Sequence, residues 1–247
     1  MRLLYNALMR VRPAYVADVL KRVLRIRRIE VDTQIGRFWV DPVSQLGWNI
    51  MQEAGYEGDW TKEVLRFVKP GSTFVDIGAN EGYYSVIAGL KGARVFAVEP
   101  QSRLLPIIER NFALNNLTPA AVINRAVSDQ EGEAEFYLAP GMNTGASGFV
   151  RMTSYNLPTV KVRISTLHKI LEDMGLMEVD LMKMDIEGFE YEALLGSPQL
   201  FQQGKVKALL LELHPRQITS RGLDYKKVEG FLIDCGYVED GSVWVRK

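Results

Sequence analysis

Two short stretches carry the residue types best suited to proton chemistry. One is Lys183-Met184-Asp185-Ile186-Glu187-Gly188, with Glu190 just beyond it, and the other is Glu212-Leu213-His214-Pro215. In an extended chain alternate residues share a face, so Lys183, Asp185 and Glu187 point one way and Met184 and Ile186 the other. Three charges on one side of an apolar run are costly to bury unless they pair or serve a ligand. Asp185 is therefore the first candidate for a general base or acceptor-hydroxyl contact, and Lys183 can pair with it or steady a developing charge. His214 is one of two histidines in the chain. At a strand's end it is well placed to take a proton near neutral pH. The same residues admit a structural reading: an ion-pair network at the start of the next helix and a hydrogen-bonded histidine. Asp185, Glu187, Glu190 and His214 are also an oxygen-rich set of the kind that holds Mg²⁺, but a metal is not favoured, because spacing alone does not make them converge.

A ligand for these groups to act on is suggested by Val75-Asp76-Ile77-Gly78-Ala79-Asn80-Glu81-Gly82-Tyr83-Tyr84. An apolar strand ends at Asp76, a turn with glycine follows, and a helix begins near Gly82. Small residues let the backbone approach a bound molecule, and asparagine accepts the left-handed backbone that such a turn needs at Asn80. A dinucleotide fingerprint reads G-x-G-x-x-G, whereas this loop reads G-x-N-x-G. With Asp76 beside it, the loop suits a ligand without a pyrophosphate, such as a sulfonium with an amino-acid tail. Gly78, Asn80, Gly82 and Tyr83 belong to this cradle. The next strand ends at Ala97-Val98-Glu99-Pro100, where Glu99 can accept hydrogen bonds from both ribose hydroxyls beside Pro100. A third such end, Arg125-Ala126-Val127-Ser128-Asp129, places Ser128 and Asp129 near an adenine amino group, with a plain turn before Gly132 as the alternative.

These groups need a frame that brings strand ends together. From residue 71 onward, strand-like runs at 73–77, 94–99, 122–127, 179–185 and 208–213 alternate with helix-like runs at 83–90, 103–115, 191–202 and 225–235. That alternation is the pattern of a parallel sheet wrapped by helices. Residues 133–138 and 160–164 read as two extra strands. The Gly/Ser/Asn-rich stretch 140–158 between them, carrying Phe149, Arg151 and Tyr155, reads as a flexible substrate lid. Residues 243–245 form a terminal strand. Ahead of the alternating region a hairpin turns near Gly36, and helices cover 45–54 and 59–68.

Hydrophobic residues make up 47% of the 247-residue chain and charged residues 24%, which is a folding composition and excludes wholesale disorder. One cysteine, Cys235, excludes an internal disulfide and a Cys-rich zinc site, and is compatible with a cytoplasmic location. The formal net charge of zero conceals an asymmetry. Residues 1–28 hold eight Arg and Lys against Asp18 alone, giving 8 − 1 = +7, and the remainder carries 22 − 29 = −7. No nucleic-acid partner is expected from such a balance. Val16, Val19, Leu20, Val23 and Leu24 fall on one helix face, as do Leu3, Leu4, Ala7, Leu8 and Val11, with Pro13 between the two stripes. Docking of these stripes on the chain's own domain or on a second copy is the favoured reading. Peripheral contact with the inner face of a membrane is the alternative.

The motifs together resemble the FkbM family of S-adenosylmethionine-dependent methyltransferases. The resemblance runs from about Phe38 to Pro215 and rests on the loop from Val75 to Ser85, Ala97–Pro100, Asn111 and Asn115, Ala126–Asp129, Met182–Glu190, and Leu211-Glu212. One departure is Thr166-Leu167-His168, where relatives carry Thr-Leu-Asp. The resemblance implies a Rossmann-like class I methyltransferase of the α/β class: a seven-stranded mixed sheet flanked by helices, here preceded by an N-terminal helical and hairpin arm. The expected division is 1–58 for the arm and 59–247 for the methyltransferase domain. It implies S-adenosyl-L-methionine as cofactor, held by Asp76, Gly78, Asn80, Gly82, Tyr83, Glu99, Pro100, Ser128, Asp129 and Asp185. It also implies O-methylation of a sugar, glycan or other small natural-product acceptor. A nicotinamide oxidoreductase and a non-catalytic interaction protein on the same fold are the rivals.

Overall fold

The computed structural model describes residues 2–11, 14–52, 58–118, 120–151 and 156–247. Two helices, α1 (Arg2–Met9) and α2 (Ala14–Val23), lead into a hairpin of β1 (Ile29–Thr33) and β2 (Gly36–Val40), then α3 (Gln45–Met51) and α4 (Gly58–Phe67). The alternating region follows: β3 (Thr73–Ile77), α5 (Tyr83–Leu90), β4 (Arg94–Val98), α6 (Leu105–Leu114) and β5 (Ala120–Ile123). A small three-stranded sheet interrupts it, built from β6 (Ala126–Val127), β7 (Gly132–Tyr137) and β8 (Thr159–Ser165). The chain then returns through α7 (Leu167–Asp173), β9 (Leu181–Met184), α8 (Glu190–Leu195), α9 (Pro198–Gln202) and β10 (Ala208–Leu211). It ends with α10 (Pro215–Thr219), α11 (Lys226–Asp234), β11 (Tyr237–Asp240) and β12 (Val243–Arg246).

The main sheet has seven strands in the order β11-β12-β10-β9-β3-β4-β5. β3, β4, β5, β9 and β10 are parallel, while β12 runs antiparallel between β10 and β11. The order reverses between β3 and β9, and in open α/β sheets the ligand crevice opens beyond the strand ends at that point. Both faces of the sheet are buried, and strand alternation sorts the residues. Phe74 and Leu181 join the core under α4, α5 and α6, whereas Val75, Ile77, Met182 and Met184 join the core under α7, α8, α9 and α11. Asp76 and Lys183 occupy the alternate positions and share the first side.

Several elements differ from the sequence reading, each for a visible reason. The expected strand 122–127 divides: Ala120–Ile123 pairs with β4, while Ala126–Val127 leaves the main sheet to pair with β8. The expected helix 191–202 also divides, because Pro198 opens a new helix after Ser197 and Gly196 packs against Asp129 too closely for a side chain. The strand β11 and helix α10 were not anticipated. The helix expected over 45–54 is described to Met51; Ala54 and Gly55 lie outside the described residues, as do Pro13 and Tyr155.

The stretch read as a flexible lid is, over its first part, a packed cover. Residues Gly141–Ala146 form a 3-10 turn with Met142 and Thr144 buried, and Gly148 bridges to Tyr137. Arm and cover hold one another. Tyr5, Leu8 and Ala17 pack with Val43 and Met142, Gly141 N donates to Asp18 Oδ2 at 3.0 Å, and Lys21 pairs with Asp41. The docked face of α2 is thus Ala17, Asp18 and Lys21. Of the stripe expected to dock, Val16 is half-buried, while Val19, Leu20, Val23 and Leu24 face outward.

Asn111 and Asn115 explain why the hairpin sits where it does. β2 is paired on one side only, and the two amides supply its other edge. Asn111 Oδ1 accepts from Trp39 N at 2.7 Å, and Asn115 bonds both Arg37 N and Arg37 O, at 2.9 and 2.7 Å. Asn111 Nδ2 also reaches Glu81 O at 2.8 Å, which ties hairpin and loop to one helix.

Candidate active site

One cavity opens at the reversal between β3 and β9, and both chemistry-bearing regions line it. Its wall includes Gly78, Asn80, Tyr83, Glu99 and Pro100 on one side and Lys183, Asp185, Glu187, Glu212 and His214 on the other. Phe136, Phe149 and Phe189 close it with aromatic rings, Phe149 lying 4.3 Å from Phe189 between centroids.

The cradle after β3 is shaped by three left-handed residues, Gly78 (φ 76°), Asn80 (φ 52°) and Gly82 (φ 79°). Gly78 has no room for a side chain, since a Cβ there would lie 2.0 Å from the carbonyl oxygen of Asp185. Asn80 carries the side chain of its strained turn usefully: Thr144 Oγ1 donates to its Oδ1 at 2.7 Å, fastening the cover to the cradle. Glu99 is held at both oxygens, by Asn80 N at 2.8 Å and Gln101 N at 2.9 Å. Burial pushes its carboxyl up to about 7 against the pull of these bonds. A carboxylate oxygen can accept more than one hydrogen bond, so Glu99, which lines the cavity, can still accept from ribose hydroxyls. The backbone-shaped cradle and this carboxylate fit the nucleoside and amino-acid ends of S-adenosylmethionine.

Asp76 and Gly82 lie behind the wall rather than on it. Asp76 is fully buried, accepts from Ser85 Oγ at 2.7 Å and sits 3.6 Å from Lys183 Nζ, while Gly82 begins α5 against Ile108. Lys183 Nζ donates to Gly78 O at 2.8 Å and lies 3.7 Å from Asp185 Oδ2. It straps the cradle to β9. The structure does not bring Ser128 and Asp129 to the cavity. Because β6 turns away to β8, Ser128 N donates to Ser165 O, and Asp129 packs on Gly196, leaving Arg125, Ala126 and Val127 at the wall.

At the other side, Glu190 is buried completely and organises its surroundings. Its Oε1 accepts from Ile186 N at 3.2 Å and Gly188 N at 3.1 Å, and meets His214 Nδ1 at 3.0 Å. That contact aims His214 Nε2 toward Glu187 Oε2, Asp185 Oδ1 and Glu212 Oε1, at 3.7, 3.8 and 3.9 Å. Burial alone would lower the imidazole, but the bond to Glu190 and the surrounding carboxylates push it up to about 9. Burial raises Glu187 to about 7, with His214 opposing and Asp185 adding. His168 is exposed and stands apart.

Sequence reasoning missed Gln101 and Arg103. Arg103 Nη2 donates to Gln101 Oε1 at 2.7 Å and Ala139 O at 2.8 Å, and Gln101 Nε2 reaches Thr144 O at 3.2 Å, so the pair locks the cover onto the end of β4. No motif signals them. It also missed the pairing of Arg28 with Glu81, which ties the arm to the cradle.

The seven-stranded sheet is Rossmann-like, and the cradle and Glu99 lie at its ligand crevice. The chain belongs to the FkbM methyltransferase domain family, which matches residues 76–239. Among curated proteins it resembles the AMB antimetabolite synthetase AmbE of Pseudomonas aeruginosa, 25% identical over 185 residues that cover 60% of this chain. The match spans 9% of that relative's length. Among solved structures it is similar to an S-adenosylmethionine-dependent methyltransferase from Agrobacterium tumefaciens, at 10% identity and a TM-score of 0.46, covering 85% of this chain and 58% of that one. A TehB-like methyltransferase from Corynebacterium glutamicum matches at 11% identity and a TM-score of 0.41, covering 81% and 94%.

Proposed function

We propose that the chain methylates a hydroxyl oxygen of a sugar, glycan or other small natural-product acceptor. The observation that carries this reading is the cluster of Asp185, Glu187 and Glu212 around His214 on the same cavity wall as the cradle. S-adenosylmethionine, when bound, supplies an electrophilic methyl on a sulfonium, whose C–S bond breaks as the C–O bond forms. The chain's own task is to hold the acceptor in line and to take its hydroxyl proton. Glu99 and the backbone of Gly78 and Asn80 hold the nucleoside end. Lys183 fixes the cradle by its bond to Gly78 O and so sets the distance between the two sides.

His214, raised to about 9, holds a proton at neutral pH and is not the base in this arrangement. In this reading it holds Asp185, Glu187 and Glu212 together as a cation. Asp185 contacts the hydroxyl, and Glu187, near 7, is matched to receive the proton. The aromatic wall of Phe136, Phe149 and Phe189 offers a face for a sugar ring.

A second reading is favoured by one feature. Asp185, Glu212 and His214 each offer one ligand atom, all within 4.8 Å of one another. A divalent cation held by these three would acidify the acceptor hydroxyl, with Glu190 on Nδ1 as the outer partner that orients the imidazole. Activity abolished by EDTA and restored by Mg²⁺ selects this reading, and activity indifferent to EDTA selects the proton-relay one.

The test of the proposal itself is incubation with methyl-labelled cofactor and a panel of monosaccharides and glycan extracts. The expected product is an alkali-stable methyl ether. Label recovered only in alkali-labile esters or on nitrogen overturns it.

A further inference from the structure

The arm has one face too many. Its inner face is fully employed, with Tyr5, Leu8 and Ala17 packed on Val43 and Met142, and Asp18 and Lys21 bonded to Gly141 and Asp41. On the opposite side of α2 and in the turn that follows it, Val19, Leu20, Val23 and Leu24 are 53%, 37%, 71% and 49% exposed. Leu4 on α1 is exposed as well, at 43%. A helix that needed only to dock would place its largest aliphatic side chains inward. Here Ala17 is inward, Val16 is half-buried, and Val19, Leu20 and Val23 face out.

The charges around this stripe are unbalanced. Arg10, Arg22, Arg25 and Arg27 are exposed, and none forms an ion pair with a described residue. The arm's other described cations are committed, Lys21 to Asp41 and Arg28 to Glu81. Exposed aliphatics ringed by unpaired arginines are the composition of a helix that lies in the headgroup region of an anionic bilayer. No helix among the described residues is long and apolar enough to cross a membrane, so the contact is a surface one. A second copy of the chain is a poorer occupant. A two-fold interface would set one ring of arginines against its own image. The remaining 219 residues, net −7 against +7 for the first 28, turn the molecule so that the arm meets an anionic surface first.

We propose that the outward face of α2 with the turn that follows it, Val19, Leu20, Val23 and Leu24 with Arg22, Arg25 and Arg27, seats this protein on an anionic lipid surface. The inner face of the same helix holds the cover Gly141–Ala146, whose Asn143 and Gly145 line the cavity. A lipid-seated arm therefore positions the cavity beside the bilayer.

The experiment is co-sedimentation of the full chain with vesicles of equal parts phosphatidylglycerol and phosphatidylcholine, and with pure phosphatidylcholine, at low and high salt. Cofactor affinity is measured in parallel to show that each variant is folded, since these residues touch neither the cradle nor the carboxylate cluster. Binding to anionic vesicles is expected, with near-complete loss on pure phosphatidylcholine. R22E/R25E should lower partitioning by more than twentyfold, at about fivefold for each arginine charge removed. V23D/L24D should abolish it even at low salt, with cofactor affinity unchanged. Absence of binding at low salt overturns the proposal. So does salt-sensitive binding that V23D/L24D leaves intact, which would be charge attraction without insertion. A concentration-dependent dimer in solution that V23D/L24D dissolves would overturn it in favour of a second copy.

Discussion

The two sides of the cavity are built on opposite plans. On the cofactor side each charged group is met by a fixed partner: Glu99 by two backbone N–H groups, Asp76 by Ser85, and Lys183 by the carbonyl of Gly78. On the acceptor side one imidazole nitrogen faces three carboxylates, none closer than 3.7 Å. The first arrangement is finished before any ligand arrives and costs nothing to reorganise. The second is crowded with like charge and changes its balance with every proton, hydroxyl or cation that enters. In the proposed reading, binding is thus written into backbone conformation, and chemistry into an electrostatic imbalance.

The largest test of that contrast is Gly78→Val. The substitution combines a strained φ of 76° with a Cβ 2.0 Å from Asp185 O, so it pushes the two sides apart. A loss of roughly 4 kcal/mol or more in stability is expected, from backbone strain and overpacking together. Cofactor binding should vanish in whatever fraction still folds. Thermal unfolding and calorimetry check both, and normal binding would mean that the cradle is not where the cofactor sits.

Asp185→Asn should act on chemistry alone. Cofactor affinity should stay within about threefold, because Glu99 and the cradle backbone remain, while turnover falls by about 10²-fold as the acceptor hydroxyl loses the contact that positions it for Glu187. If affinity and stability fall together and turnover per bound enzyme is kept, Asp185 serves Lys183 as a structural partner and the two-plan contrast fails. Glu99→Gln should do the reverse. It keeps the shape but weakens the charge-assisted bonds to a ribose, at about 1.5–3 kcal/mol, or roughly ten- to 150-fold in affinity. Unchanged calorimetric affinity in a folded variant would remove Glu99 from the site.

The same contrast explains what was legible in the sequence. The cradle could be read because left-handed turns admit few residues, so Gly78, Asn80 and Gly82 announce their own backbone. The sheet could be read for a similar reason, since strands buried on both faces are short, near-continuous apolar runs that alternate with helices. The division of 122–127 was not read, because Ala126 and Val127 are as apolar as Val122 and Ile123 and pairing with Ile164 and Ser165 is what sets them apart. Nor was the fate of Ser128 and Asp129, which follows from that division. Glu190 was legible as one of a set of nearby acids, and Glu212 only as a strand-end acid beside His214. Their meaning arises from His214, which lies 24 residues beyond Glu190 and meets it only in the fold. The arm's stripe was visible by period, but periodicity identifies a face without saying which way it turns.

The finest test separates the two sides by pH. Glu99 and Glu187 are both raised to about 7, and His214 is raised to about 9. A raised group binds its proton more tightly in the folded state. Its stabilisation is complete below the unfolded pKa and disappears as pH climbs through the folded one. The two glutamates therefore lose theirs between about 4.5 and 7, and His214 between about 6.5 and 9, each on the order of 1–3 kcal/mol. All three have the same sign, so the melting temperature of the ligand-free protein should fall from pH 5 to pH 9. Difference curves against the parent protein then assign the windows. Glu99→Gln should flatten the acidic part and leave the alkaline part alone, since His214 contributes nothing to the field at Glu99. His214→Asn should flatten the alkaline part and steepen the acidic one, because Glu187 loses the charge that opposes its rise. An alkaline part unchanged by His214→Asn would show that the imidazole is neutral in the folded protein. The proton would then sit on the carboxylates, and His214 would return as the base.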